Sequence, residues 1–258
     1  MKYYKIIVCD NFIISNNIII IKENYTDKLD KLYSIINEHN IEQIFFTYKD
    51  KYSKNIDIIP NNQQIKYCFD NEQESMFNCE IKNLPKSIKY LILGNKFNRQ
   101  VDNLSTTLSH LTFGDEFNQT VNNLPQTLIF LTFGISFDHS VDNLPCLITH
   151  LNFGYCFNQY VNNLPCSITH LTFGISFNQC VDNLPCLITH LNFGHCFNQC
   201  VDNLPISLIQ LKLGYSFNQI IKNLPYTIEK IFCSKSYKYI DKIKKDYNES
   251  IKIEIIIQ

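Results

Sequence analysis

The chain contains no alanine and no tryptophan, and Arg99 is its one arginine among 258 residues. Isoleucine, asparagine and lysine fill that space, a bias we read as the imprint of AT-rich coding, because adaptation would not remove every alanine. No apolar run reaches the roughly 18 residues a membrane helix needs. The stretch from Phe12 to Ile21 is broken by Ser15, Asn16 and Asn17, and no small-residue cleavage site follows it, so neither a span nor a secretory leader is expected. Between Gln100 and Leu211 there is not one lysine or arginine. That window carries seven acids, Asp102, Asp115, Glu116, Asp138, Asp142, Asp182 and Asp202, so the net charge of −1 conceals an anionic middle between basic flanks. Gripping phosphates requires cations along the contact, and this excludes nucleic acid as the partner of the middle segment.

What is present is a core-forming composition, 45% hydrophobic and 18% charged, too apolar for disorder, and an internal repeat. Phenylalanine recurs at 77, 97, 117, 137, 157, 177, 197 and 217, with Tyr237 in the ninth place. All seven glycines share one phase, from Gly94 to Gly214, and seven of the eight prolines another, from Pro85 to Pro225, with Ser105 the exception. Residues 141–160 and 181–200 differ only at Tyr155/His195 and Tyr160/Cys200, which indicates recent duplication. Within one unit Leu151 and Phe153 alternate around Asn152, the period of a short strand with one buried face. Gly154 ends that strand where positive φ or close backbone approach is needed, and Pro145 sets the turn on the far side. Twenty residues cannot enclose a core, but stacked coils bury these columns against one another, about 4.8 Å apart in a parallel sheet.

The pattern L-x-F-G-x-x-F-N-Q-x-V-x-N-L-P over residues 77–237 resembles the FNIP repeat, a relative of the leucine-rich repeat found in amoebae and in giant DNA viruses that infect them. The proline that often follows F-N-x in that family is replaced here by Gln100, Thr120, Ser140, Tyr160, Cys180, Cys200 and Ile220. The resemblance implies a curved solenoid with the Leu-x-Phe strands on one face. Some members carry an amino-terminal F-box, but no leucine-proline opening of that kind precedes Leu84.

The expected fold is therefore a β-rich, leucine-rich-repeat-like solenoid of 20-residue coils with α/β caps. Residues 1–40 form an amino-terminal cap: strands at 2–9 and 12–22, then a helix opened by Thr26 as N-cap, with Leu29, Leu32, Ile35 and Ile36 on one face. Residues 41–76 read as degenerate repeats, since Ile41, Ile44 and Phe46 keep the spacing, Ile59-Pro60 mimics Leu-Pro, and Ile65 with Tyr67 starts another strand. The solenoid runs from 77 to 237. A lysine-rich helix near 238–247 and the strand IKIEIII make the carboxyl-terminal cap over 238–258, pairing near Ile231.

Three side-chain columns invite functional readings. Cys146, Cys166 and Cys186 share one phase, Cys156 and Cys196 a second, Cys180 and Cys200 a third. Same-phase residues climb about 4.8 Å per coil, so one column cannot converge on a zinc ion with bonds of about 2.3 Å. Buried or incidental small residues are favoured over a metal site or a redox-labile disulfide. His110, His150, His170 and His190 form another column, each before a buried leucine and so facing outward. Asn158 and Asn163, with their equivalents, should hydrogen-bond the turn backbone. No carboxylate pair, nucleophile elbow or phosphate loop is present, so no catalytic, cofactor or metal residue is assigned and the chain is not expected to be an enzyme.

The function expected is a non-catalytic protein-binding scaffold that presents the stripe Tyr90, His110, Phe130, His150, His170, His190 and Gln210, flanked by Thr112, Thr132, Asn152, Thr172 and Asn192. The alternatives are a ubiquitin-ligase component, as a substrate-recognition adapter or as a cysteine enzyme in its own right, and a structural array with no dedicated partner. A monomer without cofactor, nucleic-acid or membrane contact is expected, in the cytoplasm, or the host's if the chain is viral, where thiols stay reduced.

Overall fold

The computed structural model describes residues 6–22, 24–46, 75–246 and 252–256. Its strands form one sheet whose spatial order is the order of the sequence. They are β1 (Ile6–Val8), β2 (Phe12–Ser15), β3 (Ile18–Ile21), β4 (Gln43–Phe46), β5 (Tyr90–Ile92), β6 (His110–Thr112), β7 (Phe130–Thr132), β8 (His150–Asn152), β9 (His170–Thr172), β10 (His190–Asn192), β11 (Gln210–Lys212), β12 (Lys230–Ser234) and β13 (Lys252–Ile256). The first three strands are antiparallel, and from β3 onward every pairing is parallel. Register is strict: Leu91, Leu111, Leu131, Leu151, Leu171, Leu191 and Leu211 lie side by side, continued by Ile231 and Ile253. Such a register follows from a repeat of constant length with one buried face, because a slip of one residue would turn each leucine to solvent.

Two phenylalanine columns fill the interior. Phe97, Phe117, Phe137, Phe157, Phe177 and Phe197 are fully buried, with ring centroids about 6 Å apart from coil to coil. Phe113, Phe133, Phe153, Phe173 and Phe193 run beside them, and within a coil Phe153 and Phe157 stack at 3.7 Å. Gly154 has no positive φ, so close approach is the reason for the glycine. A Cβ there would stand 1.8 Å from the carbonyl oxygen of Gly134 and 2.4 Å from its carbon.

The Phe-Asn-Gln element has a different logic. The side-chain oxygen of each residue in the column Asn78, Asn98, Asn118, Asp138, Asn158, Asn178 and Asn198 accepts the backbone N–H of the equivalent residue one coil later, at 2.8–3.1 Å. Gln159, Gln179, Gln199 and Gln219 donate back to the same oxygens. The polar turn thus repeats the coil-to-coil bonding of the strands. Asn163 departs from expectation: its amide donates to Asp142 Oδ1 at 3.1 Å, a side chain of the preceding coil and not the turn backbone.

The amino-terminal cap differs from its reading in two ways. The expected strand at 12–22 is a hairpin, β2 and β3, because Asn16 takes φ 57° and lets the chain reverse. Thr26 does not cap a helix. The chain enters a 3-10 turn at Leu29–Leu32, N-capped by Lys28 with no side-chain bond, and continues as α1 (Tyr33–Glu38). Burial of Leu29, Leu32 and Ile36 against the first coils overrides the local capping preference. Asn40, at φ 50°, ends α1, and Ile41 N–H bonds back to the carbonyl of Ile36. Ile41, Ile44 and Phe46 are fully buried at the repeat phases, and β4 pairs directly with β5. The expectations for Ile59-Pro60, Ile65 and Tyr67 lie outside the described residues, as do the outermost residues of the expected first and last strands. At the other end α2 (Ile240–Asp246) buries Ile243 against the core, and β13 pairs with β12, Ile253 beside Ile231. Among the described residues no helix is long and apolar enough to cross a membrane.

Candidate functional site: an aromatic stack on the sheet face

Alternation along each three-residue strand sends the central leucine into the core and its neighbours to the outer face. All twelve residues of the expected stripe stand on that face and all are half-buried. Parallel, in-register pairing does more than align them. Tyr90, His110, Phe130, His150, His170 and His190 form one unbroken column of stacked rings, with successive centroids 4.2–4.4 Å apart and planes 7–27° from parallel. Gln210 continues the column in register after His190. Beside it, Asn152 donates to Thr132 Oγ1 and Asn192 to Thr172 Oγ1, each at 3.3 Å.

The histidines are fixed from behind. The hydroxyl of the preceding residue, Ser109, Thr149, Thr169 or Thr189, lies 2.8–2.9 Å from each Nδ1. The same hydroxyls lie 3.1–3.4 Å from a carbonyl of the preceding coil and donate to it. A hydroxyl has one proton, so Nδ1 carries the imidazole proton and Nε2 is left as an acceptor away from the backbone. Burial pushes the pKa of His110 and of His170 down from 6.5 to about 4, reinforced by neighbouring histidines, and lowers His150 for the same reasons in the same order. At neutral pH His110, His150 and His170 are therefore uncharged members of an ordered stripe of rings.

The cysteine columns are not core. Cys146, Cys156, Cys166, Cys180, Cys186, Cys196 and Cys200 are exposed free thiols, whereas Cys233 is buried, and its thiol pKa is pushed up to about 11 by that burial. The exposed cysteines occupy turn positions outside the Leu and Phe columns, which is why their size is unconstrained. Cys180 Sγ donates to Asp182 Oδ2 at 3.0 Å. No group of three or more metal-ligating side chains occurs among the described residues.

One part of the face escaped the sequence reading. Lys212 continues the Thr172, Asn192 series in register, and opposite it the turn residues Ile175, His195 and Tyr215 form a second wall. Between the walls lie Gly174, Gly194 and Gly214, so the surface there is a trough of about 410 Å³. The signal was available, since Lys212 is the first cation after Arg99.

Comparison with known proteins agrees with this architecture. The FNIP Repeat family model matches residues 100–136, 157–196 and 197–236. The chain is similar to CroV588, a giant-virus protein whose crystal structure is described as a novel circular leucine-rich-repeat protein, at 33% identity and a TM-score of 0.59. That similarity covers 88% of this chain and 38% of CroV588, so the chain spans well under half that protein's length. No curated protein matches the chain.

Proposed function

We propose, from the premise that this chain carries FNIP repeats on a leucine-rich-repeat-like solenoid, that it is a non-catalytic scaffold binding a protein partner across the outer face of the sheet. The observation that carries the proposal is the unbroken six-ring stack from Tyr90 to His190. Rings locked by in-register neighbours and by hydroxyl bonds lose little entropy when a partner covers them, and aromatic side chains dominate the energetics of protein interfaces. The stripe residues from Tyr90 to Asn192 include no Lys, Arg, Asp or Glu, so the face takes an uncharged or weakly polar surface, not a phosphate backbone. Length supports the same reading: strands β5 to β11 span about 29 Å at the parallel-strand spacing, enough for a standard interface.

The test is capture of partners from the native cell by the full chain and by the variants Phe130→Glu and His170→Glu, with thermal melting as a control for folding. The proposal expects a partner retained by the native chain and reduced at least tenfold by either variant. Equal capture by all three folded proteins would place the interface elsewhere.

A further inference from the structure

We propose that the trough at the β9 to β11 end of the sheet face receives the C-terminal carboxylate of an extended peptide segment of a protein partner. Lys212 holds the carboxylate, and Asn192 accepts the last peptide N–H. This deepens the scaffold reading above and rests on it, since it names the chemistry by which one end of the face would recognise its partner.

Three independent features meet there. Lys212 is an exposed cation with no carboxylate paired to it among the described residues, unlike Lys222, which pairs with Asp202, and Lys230 and Lys252, which pair with Glu254. Among the described residues no donor reaches the buried Asn192 Oδ1, although the amide nitrogen of the same side chain donates to Thr172 Oγ1. A buried acceptor in that state is destabilising until a donor reaches it. The opposite wall is apolar and exposed, with Ile175 at 40%, and with Tyr215 at 47% and His195 stacked at 4.9 Å.

Shape selects the occupant. The floor has no side chains because each glycine's Cβ would collide with the carbonyl oxygen of the glycine one coil earlier, at 1.7 Å for Gly174 and Gly194 and 2.1 Å for Gly214. The close packing that the coils require thus leaves a channel along the glycine column, and its stretch lined by Gly174, Gly194 and Gly214 spans three coils, about 10 Å, the length of about three extended residues. It does not continue unchanged past Gly214. Ser234, the residue of β12 that lines this end, bears a side chain where the preceding coils have glycine. A segment lying in the trough therefore meets Lys212 where the bare floor stops. A chain terminus offers there both a carboxylate for the ammonium and, one peptide unit back, an N–H for Asn192, the two groups sitting on neighbouring strands about 4.8 Å apart. Capture of a C-terminal carboxylate is a recurring mode of peptide recognition.

The experiment uses the immobilised full chain under reducing conditions and a pool of eight-residue peptides of randomised sequence, prepared once with free C-terminal carboxylates and once amidated, retained peptides being read by mass spectrometry. Retention of the free-acid pool at least tenfold above the amidated pool is expected, and so is its loss in Lys212→Met, an exposed substitution that leaves the melting temperature unchanged. Equal retention of both pools, no retention of either, or retention indifferent to Lys212→Met overturns the proposal. Enrichment of internal Asp or Glu in both pools also overturns it, assigning Lys212 to an acidic side chain. The two readings fail separately. A native partner lost in His170→Glu but kept in Lys212→Met refutes the trough alone. Carboxylate-dependent retention with a partner indifferent to His170→Glu refutes the stripe alone.

Discussion

Acid should loosen this protein through its histidine stack before it reaches the carboxylates. In the folded chain the pKa values of His110 and His170 fall from 6.5 to about 4, because protonation would place charge in a half-buried column of rings. The unfolded chain binds those protons near pH 6.5, so it holds more protons than the native state between about pH 6.5 and 4. Stability therefore falls as the pH drops through that window and levels off below it. Taken at full weight, 2.5 pKa units correspond to about 3.4 kcal/mol for each histidine. Both rings are partly open to water, and halving for solvent screening leaves about 1.5 to 2 kcal/mol each, or about 3 to 4 kcal/mol for the pair. The assay is urea denaturation of the reduced protein at pH 7.5 and pH 4.5, for the native chain and for His170→Gln, which keeps the side-chain polarity without the titration. The native chain should lose about 1.5 to 2 kcal/mol more than the variant across that interval, and an NMR titration of His170 should put its pKa well below 6. Equal losses for the two proteins, together with a His170 pKa at or above 6.5, would refute the reasoning and show that the rings do not hold one another neutral.

The remaining predictions concern the core and the caps. Phe157→Ala should cost about 3 to 5 kcal/mol in chemical denaturation, since the ring is fully buried between Phe137 and Phe177 and against Phe153; a change below about 1 kcal/mol would mean that the phenylalanine column does not hold the coils. Gly154→Ala should cost about 3 kcal/mol, the net worth of roughly three coil-to-coil hydrogen bonds at about 1 kcal/mol each, because the new Cβ must push the preceding coil away; a neutral result would contradict the close approach. Deleting residues 238–258 should uncover the edge of β12 and the side chains under α2, producing self-association in size-exclusion chromatography; a monomer that melts like the full chain would make this segment a tail.

The repeat was legible because its length is constant. A 20-residue period gives the register of β5 to β12 directly, and the burial of Leu151, Phe153 and Phe157 follows from it. The outward-facing stripe of Tyr90, Phe130 and the histidines was legible for the same reason, but the near-parallel stacking of its rings depends on side-chain rotamers, which the repeat does not fix. What failed was decided by tertiary context. Thr26 has the chemistry of a helix cap, yet packing of Leu29 and Leu32 sets the turn elsewhere. The run from Phe12 to Ile21 is strand-forming throughout, and one asparagine in the left-handed region divides it. The cysteines look like core residues by type, but their phase belongs to the turns. Lys212, although the first cation after Arg99, reads in the sequence as an ordinary solvated charge until the fold sets Ile175, His195 and Tyr215 across the glycines from its strand.

The most direct measurement of the central claim is a photo-crosslinking scan in the native cell, with benzoylphenylalanine placed singly at positions 110, 150 and 190 of the stripe and at 147, 187 and 226, where Leu147, Leu187 and Tyr226 are exposed in the proline turns. A scaffold working through its sheet face gives one adduct of the same mass at all three stripe positions and none in the turns. Adducts confined to the turns, or equal at both sets of positions, would contradict it.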